Sequence, residues 1–398
     1  MEISRKYVLT CLLFAAAVTN FSGTDEAASN TINNRCSEII YLVAVSKYIA
    51  KQAKTGRQLI HKLQTYATAW KLAAVQTPDS QLKAGYTTLS AYAMIQHKKH
   101  AATLRRRQET AERAQQILSE RIGYTEALYR QPTLATGNAA YAAGDNGYAA
   151  KCTFTLTQSG TTRETCDLEK AKDTGVDSTA FSWATATKIK LLNLATTPPR
   201  LPQVAAQGKG VQGNVDKATG GARCDQSGDE GTNALKVTLG AIAPDTGLTG
   251  EQTRLYASDD MAKGCATVEQ PDTKTASDNW KVAHAICEFL ATPTPTATDP
   301  DNWNPETLAQ QQDFSALSTN YLIATGQYTK EAASQNAENT KTALKKLLGM
   351  NKDGYKTRYV APLKDRNVKY QDGTTEGEAS LLKVEDGAAP KVFVYLQG

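Results

Sequence analysis

The sequence predicts a mainly α protein, with a long antiparallel helical hairpin or coiled-coil bundle, a cysteine-bearing, loop-rich region and a third long helix. Three observations predict it. Apolar residues recur at alternating steps of three and four through residues 36–75, and a second long helical pattern follows a single proline-marked turn. The 398 residues are only 40% hydrophobic and 7% aromatic, which suits a core drawn out along helices better than one gathered in a globule.

The first seam runs Ile39, Leu42, Ser46, Ile49, Ala53, Gly56, Ile60, Leu63, Ala67, Trp70 and Ala74, a heptad spacing. One helix over 36–75 would be about 60 Å long at 1.5 Å per residue. Small Ser46, Ala53 and Gly56 let a partner helix approach closely, at some cost in helix propensity. "TPDS" then breaks the helix, since Pro78 cannot continue it while Asp79 or Ser80 can cap the next. Residues 81–129 read as a second helix of about 73 Å. Its apolar side carries Leu104, Ala111, Ala114, Leu118, Thr125 and Leu128, and the short turn makes the pair antiparallel. The basic run "HKKHAATLRRR", with Lys98, Lys99 and Arg105 to Arg107, lacks interleaved aromatics and reads as a solvated helix face rather than a nucleic-acid surface. A net charge of +5, from 45 basic against 40 acidic residues, points to no nucleic-acid partner either.

Residues 131–301 change character, to short segments rich in Gly, Thr, Asp and Ala that hold every cysteine after Cys36. "CTFTLTQSG" and "ALKVTLGAI" read as strands, "ASDNWKVAHAICEFL" as a short helix and "ATPTPTATDPD" as an extended linker. Asn304, Pro305 and Glu306 form a helix start. Phe314, Leu317, Tyr321, Ala324, Tyr328, Leu344 and Leu348 carry a third long helix to a capping Gly349. Residues 350–398 are polar and turn-rich, with no apolar tail.

The N-terminus predicts a secreted chain. Arg5 and Lys6 precede an apolar stretch and then small residues, the pattern of a signal peptide over residues 1–22, cut between Thr19 and Gly23. Residues 8–18 are too short to span about 30 Å of hydrocarbon. Cleavage removes Cys11 and leaves an even set, Cys36, Cys152, Cys166, Cys224, Cys265 and Cys287, in an oxidising compartment, so disulfides are the leading reading. No cysteine or histidine spacing suits tetrahedral zinc.

Candidate chemistry is sparse. "QGKGVQGN" places Gly208, Gly210 and Gly213 as G-x-G-x-x-G, but Pro198, Pro199 and Pro202 before it argue against a strand and a Gly-rich sequel argues against a helix, so a flexible loop is expected. His61, His97, His100 and His284 all fall on predicted helices; His97 and His100 share a face but lack a third ligand nearby. Asp259 with Asp260 and Asp299 with Asp301 read as exposed acidic turns. The glycosylation sequon is Asn20-Phe21-Ser22, at the cleavage site. With no zincin, serine-hydrolase or P-loop motif, no catalytic, cofactor-binding or metal residues are expected and an enzyme is not predicted.

The order of signal peptide, cysteine-initiated long helix, antiparallel partner, cysteine-bearing loops and returning helix resembles the N-terminal domain of a trypanosome variant surface glycoprotein of the A type. "NNRCSEIIYLVAVSKYI", "NGYAAKCTFTLTQSGTTRETCDLEK" and "GMNKDGYKTRYVAPLKDRNVKYQDGTTEGEASLLKVED" carry the likeness, which covers nearly all of the mature chain. The resemblance implies one such domain over 23–398, with a helical hairpin (36–129), a membrane-distal lobe (131–301), the third helix (304–349) and a small membrane-proximal lobe (350–398). It implies Cys36 paired with Cys166 and Cys152 with Cys224, leaving Cys265 with Cys287. It also implies a homodimer in a dense cell-surface coat, with neighbouring coat molecules and host antibodies as partners and a role in antigenic variation. A receptor or serum-resistance protein on the same scaffold is the alternative. The chain stops at "VFVYLQG" without the spacer and apolar tail of a GPI signal, so an anchor is expected only through a further C-terminal domain.

Overall fold

The computed structural model describes residues 24–130, 134–143, 150–158, 165–173, 181–194, 202–208, 223–224, 235–242, 245–267, 279–326, 328–331, 337–384 and 387–397. The expected signal segment, with Cys11 and Asn20, lies outside them. The protein is mainly α, and its chain divides into two compact units. One comprises the chain up to Tyr48 with Ala114–Ala291, the other Ile49–Arg113 with Thr292–Gly398. Helices α1 (Arg35–Gln52) and α3 (Ser80–Tyr129) contribute to both, while α2 (Arg57–Gln76) belongs to the second.

In the first unit, α1 and α3 bury Ile39, Leu42, Ala114, Leu118 and Thr125 from the predicted seams. The strands gather here. β1 (Thr24–Asp25) runs parallel to β4 (Ala186–Leu192), and β4 runs antiparallel to β8 (Gly250–Arg254). β2 (Leu134–Ala143) and β3 (Ala150–Gln158) form an antiparallel pair. β7 (Leu235–Ile242) is flanked by β5 (Pro202–Gly208) and β6 (Arg223–Cys224). The two predicted strands are thus β3 and β7. β2, β5 and β8 escape a period-based reading because they are short or Ala- and Gly-bearing and give little alternation, whereas β4 does alternate, with Lys188 and Lys190 between Thr187, Ile189 and Leu191, a signal that sequence reasoning missed. A single helical turn, α4 (Lys170–Asp173), follows β3, and the predicted short helix is α5 (Asn279–Ala291).

In the second unit α2 and the end of α1 pack antiparallel to α3: the Ser90 hydroxyl donates to the Ala67 carbonyl on α2 at 2.7 Å, and Arg107 Nε to that of Gln52 on α1 at 3.3 Å. The first predicted helix is really two. Gly56, at φ 86°, takes the left-handed conformation and precedes α2, although the apolar seam continues across the break. Heptad spacing reports which side faces the partner, not whether the backbone is continuous.

The predicted third helix is likewise divided, into α6 (Pro305–Gln310), α7 (Gln312–Ala324) and α8 (Ala337–Leu347). Gln311 is extended at φ −74° and ψ 123°, and α7 ends at Thr325 before Gly326, at φ 69°. Asn304 does cap α6, its side chain accepting from the Glu306 N–H at 3.1 Å. Residues after 350 contribute more core than their polar composition suggests. A helical run through Lys352–Tyr355, Lys356–Val360 and Ala361–Asp365 buries Tyr355, Tyr359 and Leu363. The hairpin β9 (Asn367–Asp372) and β10 (Thr375–Ser380) and helix α9 (Ala389–Gln397) add Val368 and Val392.

Candidate binding surfaces and the framework beneath them

Cys36, in the first turn of α1, is bonded to Cys166 with Cα atoms 5.4 Å apart, and Cys265 to Cys287 on α5 at 5.6 Å. Cys152 lies on β3 and Cys224 on β6, with their side chains outside the description. Around Cys36 the chain buries charge. The Arg35 guanidinium pairs with the Asp245 carboxylate, which also accepts the Arg35 backbone N–H at 2.8 Å. One turn on, Glu38 accepts from Arg121 Nε at 2.7 Å and from the Leu192 N–H at 2.6 Å. A second Arg121 nitrogen donates to the Leu192 carbonyl at 2.6 Å, closing a ring that ties α1, α3 and β4 together. Glu26 is buried too and caps the turn Ala27–Thr31 through the Ala28 and Ser29 N–H groups at 2.9 and 2.8 Å. Burial raises its pKa against those hydrogen bonds.

The second unit is organised around packed aromatic rings, several with satisfied polar atoms. Trp70 stacks on Trp303 at 5.4 Å, Tyr92 meets Trp303 and Phe314 edge-on, and Trp70 Nε1 donates to the Tyr359 carbonyl at 2.8 Å. The Tyr355 hydroxyl donates to the Pro300 carbonyl at 2.9 Å and that of Tyr359 to Leu347 at 2.6 Å. The linker is fastened to α2, because Lys62 Nζ lies 2.6 Å from Asp301 and 2.8 Å from an Asp299 oxygen, and Tyr66 donates to Asp301. Burial alone would raise the Asp301 pKa, but Lys62, Tyr66 and Lys364 outweigh it and the value is lowered. This overturns the expectation of exposed acidic turns. Asp259 departs from it as well, pairing with Lys188 at 3.0 Å and Arg254 at 3.2 Å.

Arg105 and Arg106 are exposed as predicted, whereas Arg107 is buried and donates to the Thr292 carbonyl at 2.5 Å. The signal was present, since residues 104, 107, 111, 114, 118, 121 and 125 keep the three/four spacing and put both Arg107 and Arg121 in the seam. β5 runs into Gly208, contrary to the expected loop, because an edge strand tolerates proline as its first residue. Gly210 and Gly213 lie outside the described residues. The four histidines are on α2, α3 and α5, and among the described residues no group of three metal-ligating side chains forms. Among them, too, no helix is long and apolar enough to cross a membrane.

The second unit carries several surface concavities, of which two bear on binding. A groove of about 430 Å³ beside α9 is lined by Gln64, Met94, Pro390, Phe393 and Val394, and by Lys71, whose ammonium sits 4.5 Å from the Phe393 ring centre. A more polar cleft of about 480 Å³ lies between α3 and the segment that includes the end of the linker and α6.

No protein-family model matches the chain. In sequence it is 24% identical over 406 residues to variant surface glycoprotein ILTAT 1.22 of Trypanosoma brucei brucei, spanning 93% of this chain and 78% of that protein. Among solved structures, variant surface glycoprotein VSGsur superposes with a TM-score of 0.73 at 16% identity, covering 94% of this chain and all of that one. VSGsur bound to suramin gives 0.72 at 17% identity, covering 94% and 99%. The order of helices and cysteines, the sequence similarity and the fold agree: the chain resembles the variant surface glycoproteins of trypanosomes and has their fold.

Proposed function

We infer that this chain is a trypanosome surface-coat protein that shields the plasma membrane and serves antigenic variation and immune evasion. The observation that carries the reading is sequence similarity to a variant surface glycoprotein over 93% of the chain, on a fold matched along its length. The role is physical rather than enzymatic, and the site is at the cell surface. On this reading the protein is a homodimer among like molecules, held through a GPI anchor if a C-terminal domain lies beyond this chain, with host antibodies as its outside partners and no nucleic-acid partner. Exposed Met94 and Ile95 on α3 and Val394 and Tyr395 on α9 favour self-association, since they leave apolar surface to cover.

Six cysteines complete the framework, with Cys152–Cys224 proposed beside Cys36–Cys166 and Cys265–Cys287. The segment 131–301 is proposed as the membrane-distal lobe and 350–398 as the proximal one. Antibodies raised against living cells that express the protein are then expected to bind mainly within 131–301, because loops tolerate substitution while buried seams do not. Antibodies directed mainly to α2 or to the outer faces of α3 in intact cells would refute this arrangement. Light scattering on the secreted protein tests the dimer, and a monomer at micromolar concentration counts against it.

The binding-protein alternative rests on a specific observation: VSGsur, with the same fold, is known bound to suramin. Passing host serum over the immobilised protein separates the two. Stoichiometric capture of one component favours a receptor, and no capture together with loop-restricted antibodies favours the coat.

A further inference from the structure

We propose that the cleft between α3 and the segment spanning the linker end and α6 is a binding site for a carboxylate-bearing saccharide. Its floor is apolar, formed by Tyr92, Trp303 and Leu308, all buried members of the aromatic core. Its rim is polar. Gln96, Asn302 and Gln311 bring three primary amides to it, and among the described residues none of these side chains makes a hydrogen bond within the protein. Each amide both donates and accepts, which is what vicinal hydroxyls require of a partner.

The charge is one-sided. Lys99 lines the cleft, no carboxylate does, and no ion pair engages Lys99 among the described residues. Of the nearby carboxylates, Asp299 and Asp301 are held by Lys62, and Asp313, outside the lining, acts on the floor at Tyr92. His100 adjoins Lys99; burial first, and then the Lys99 charge, lowers its pKa, so its neutral imidazole adds a donor and an acceptor at neutral pH. At about 480 Å³ the cleft is within the range of small-molecule sites, roughly 300–1,000 Å³. Its amide-rich lining favours a sugar over an apolar ligand. A single cation with three free amides selects an acidic sugar over a neutral one. The proposal stands apart from the coat reading, which needs no ligand.

The test uses 3′-sialyllactose and lactose as probes, with the whole chain as secreted, followed by saturation-transfer NMR and calorimetry. Saturable binding of sialyllactose at millimolar concentration is expected, with lactose weaker by tenfold or more. Lys99→Glu should abolish the preference, and the double change Asn302→Ala with Gln311→Ala should weaken sialyllactose at least fivefold. These three side chains are exposed, so melting curves of the variants should match the parent. No saturable binding, equal binding of the two sugars, or affinity unchanged by Lys99→Glu would each overturn the assignment.

Discussion

Replacing Arg121 by Met should destabilise the protein far more than any change on the neighbouring exposed face of the same helix. The side chains of Arg121 and Glu38 are 3% and 0% exposed, so both charges have left water. Removing the guanidinium strands a carboxylate whose remaining donor is the Leu192 N–H and leaves the Leu192 carbonyl without its Arg121 donor. Breaking one partner of a buried pair costs about 3–5 kcal/mol, within which an orphaned carbonyl accounts for about 1–3. For a cooperative unit of roughly 200 residues that corresponds to a fall in Tm of about 6–20 °C. Urea unfolding followed by circular dichroism, with disulfides intact, measures it. Glu38→Gln combined with Arg121→Met should recover much of the loss, because a neutral amide can accept from the Leu192 N–H and donate to its carbonyl; the coupling should be about 2–3 kcal/mol. Arg106→Met, on the exposed face, should stay within about 0.5 kcal/mol. A loss below about 1 kcal/mol for Arg121→Met, or strict additivity in the double variant, would refute the reasoning.

Three further outcomes follow from named contacts. Cys36–Cys166 closes a separation of 130 residues and Cys265–Cys287 one of 22, so chain entropy assigns about 5 and about 3.4 kcal/mol, and replacing the first pair by serine should cost about 1.6 kcal/mol more in urea titrations. A Cβ at Gly85 would overlap the Tyr359 hydroxyl oxygen, fixed by its bond to Leu347, and the ring carbons beside it, so Gly85→Ala should lose about 1–3 kcal/mol in urea titrations, and Tyr359→Phe, which keeps those ring carbons, should restore little of it. Because the folded pKa of Asp301 is lowered, its stabilisation is present above the unfolded value of about 3.9 and vanishes as pH falls through the folded one; the gap between parent and Asp301→Asn should be about 0.5–1 kcal/mol at pH 7 and should close below about pH 4.

What the sequence disclosed was the set of inward faces. Ile39, Ile49, Ala53, Leu63, Ala67 and Trp70 are buried as their spacing predicts, as are Leu104, Ala111, Ala114 and Leu118 opposite. Backbone continuity was less legible. Gly56 and Gln311 interrupt helices without disturbing the three/four rhythm, because a short break need not rotate the apolar face away from its partner. Polar core positions were missed for a different reason. Glu38, Arg107 and Arg121 look like ordinary helix-surface charges, and only their place in the seam, together with carbonyls supplied from Leu192, Gln52 and Thr292, marks them as buried. The cleft drew on still less: His100 and Lys99 were visible as helix residues, but residues 296–311 reach them through tertiary packing.

Those buried charges also explain how a repetitive seam holds one alignment. A three/four pattern of alanines and leucines can be matched nearly as well after a slip of seven residues, about 10.5 Å along the helix. In the first unit such a slip of α1 against α3 would part Arg121 from Glu38, and in the second a slip of α2 against α3 would break the bond from Ser90 to Ala67. The first error would leave unpaired charge in the core, at about 3–5 kcal/mol, whereas the apolar contacts would lose little. Specificity therefore rests on a few polar positions and bulk stability on many interchangeable ones. A protein whose surface must change while its fold persists can vary its loops freely and much of its apolar seam conservatively. Substitution at Glu38 or Arg121 alone should be the rarer tolerated event, and a library of seam variants selected for secretion would test it: enrichment of single charge removals there to the level of Leu-to-Met exchanges would contradict the argument.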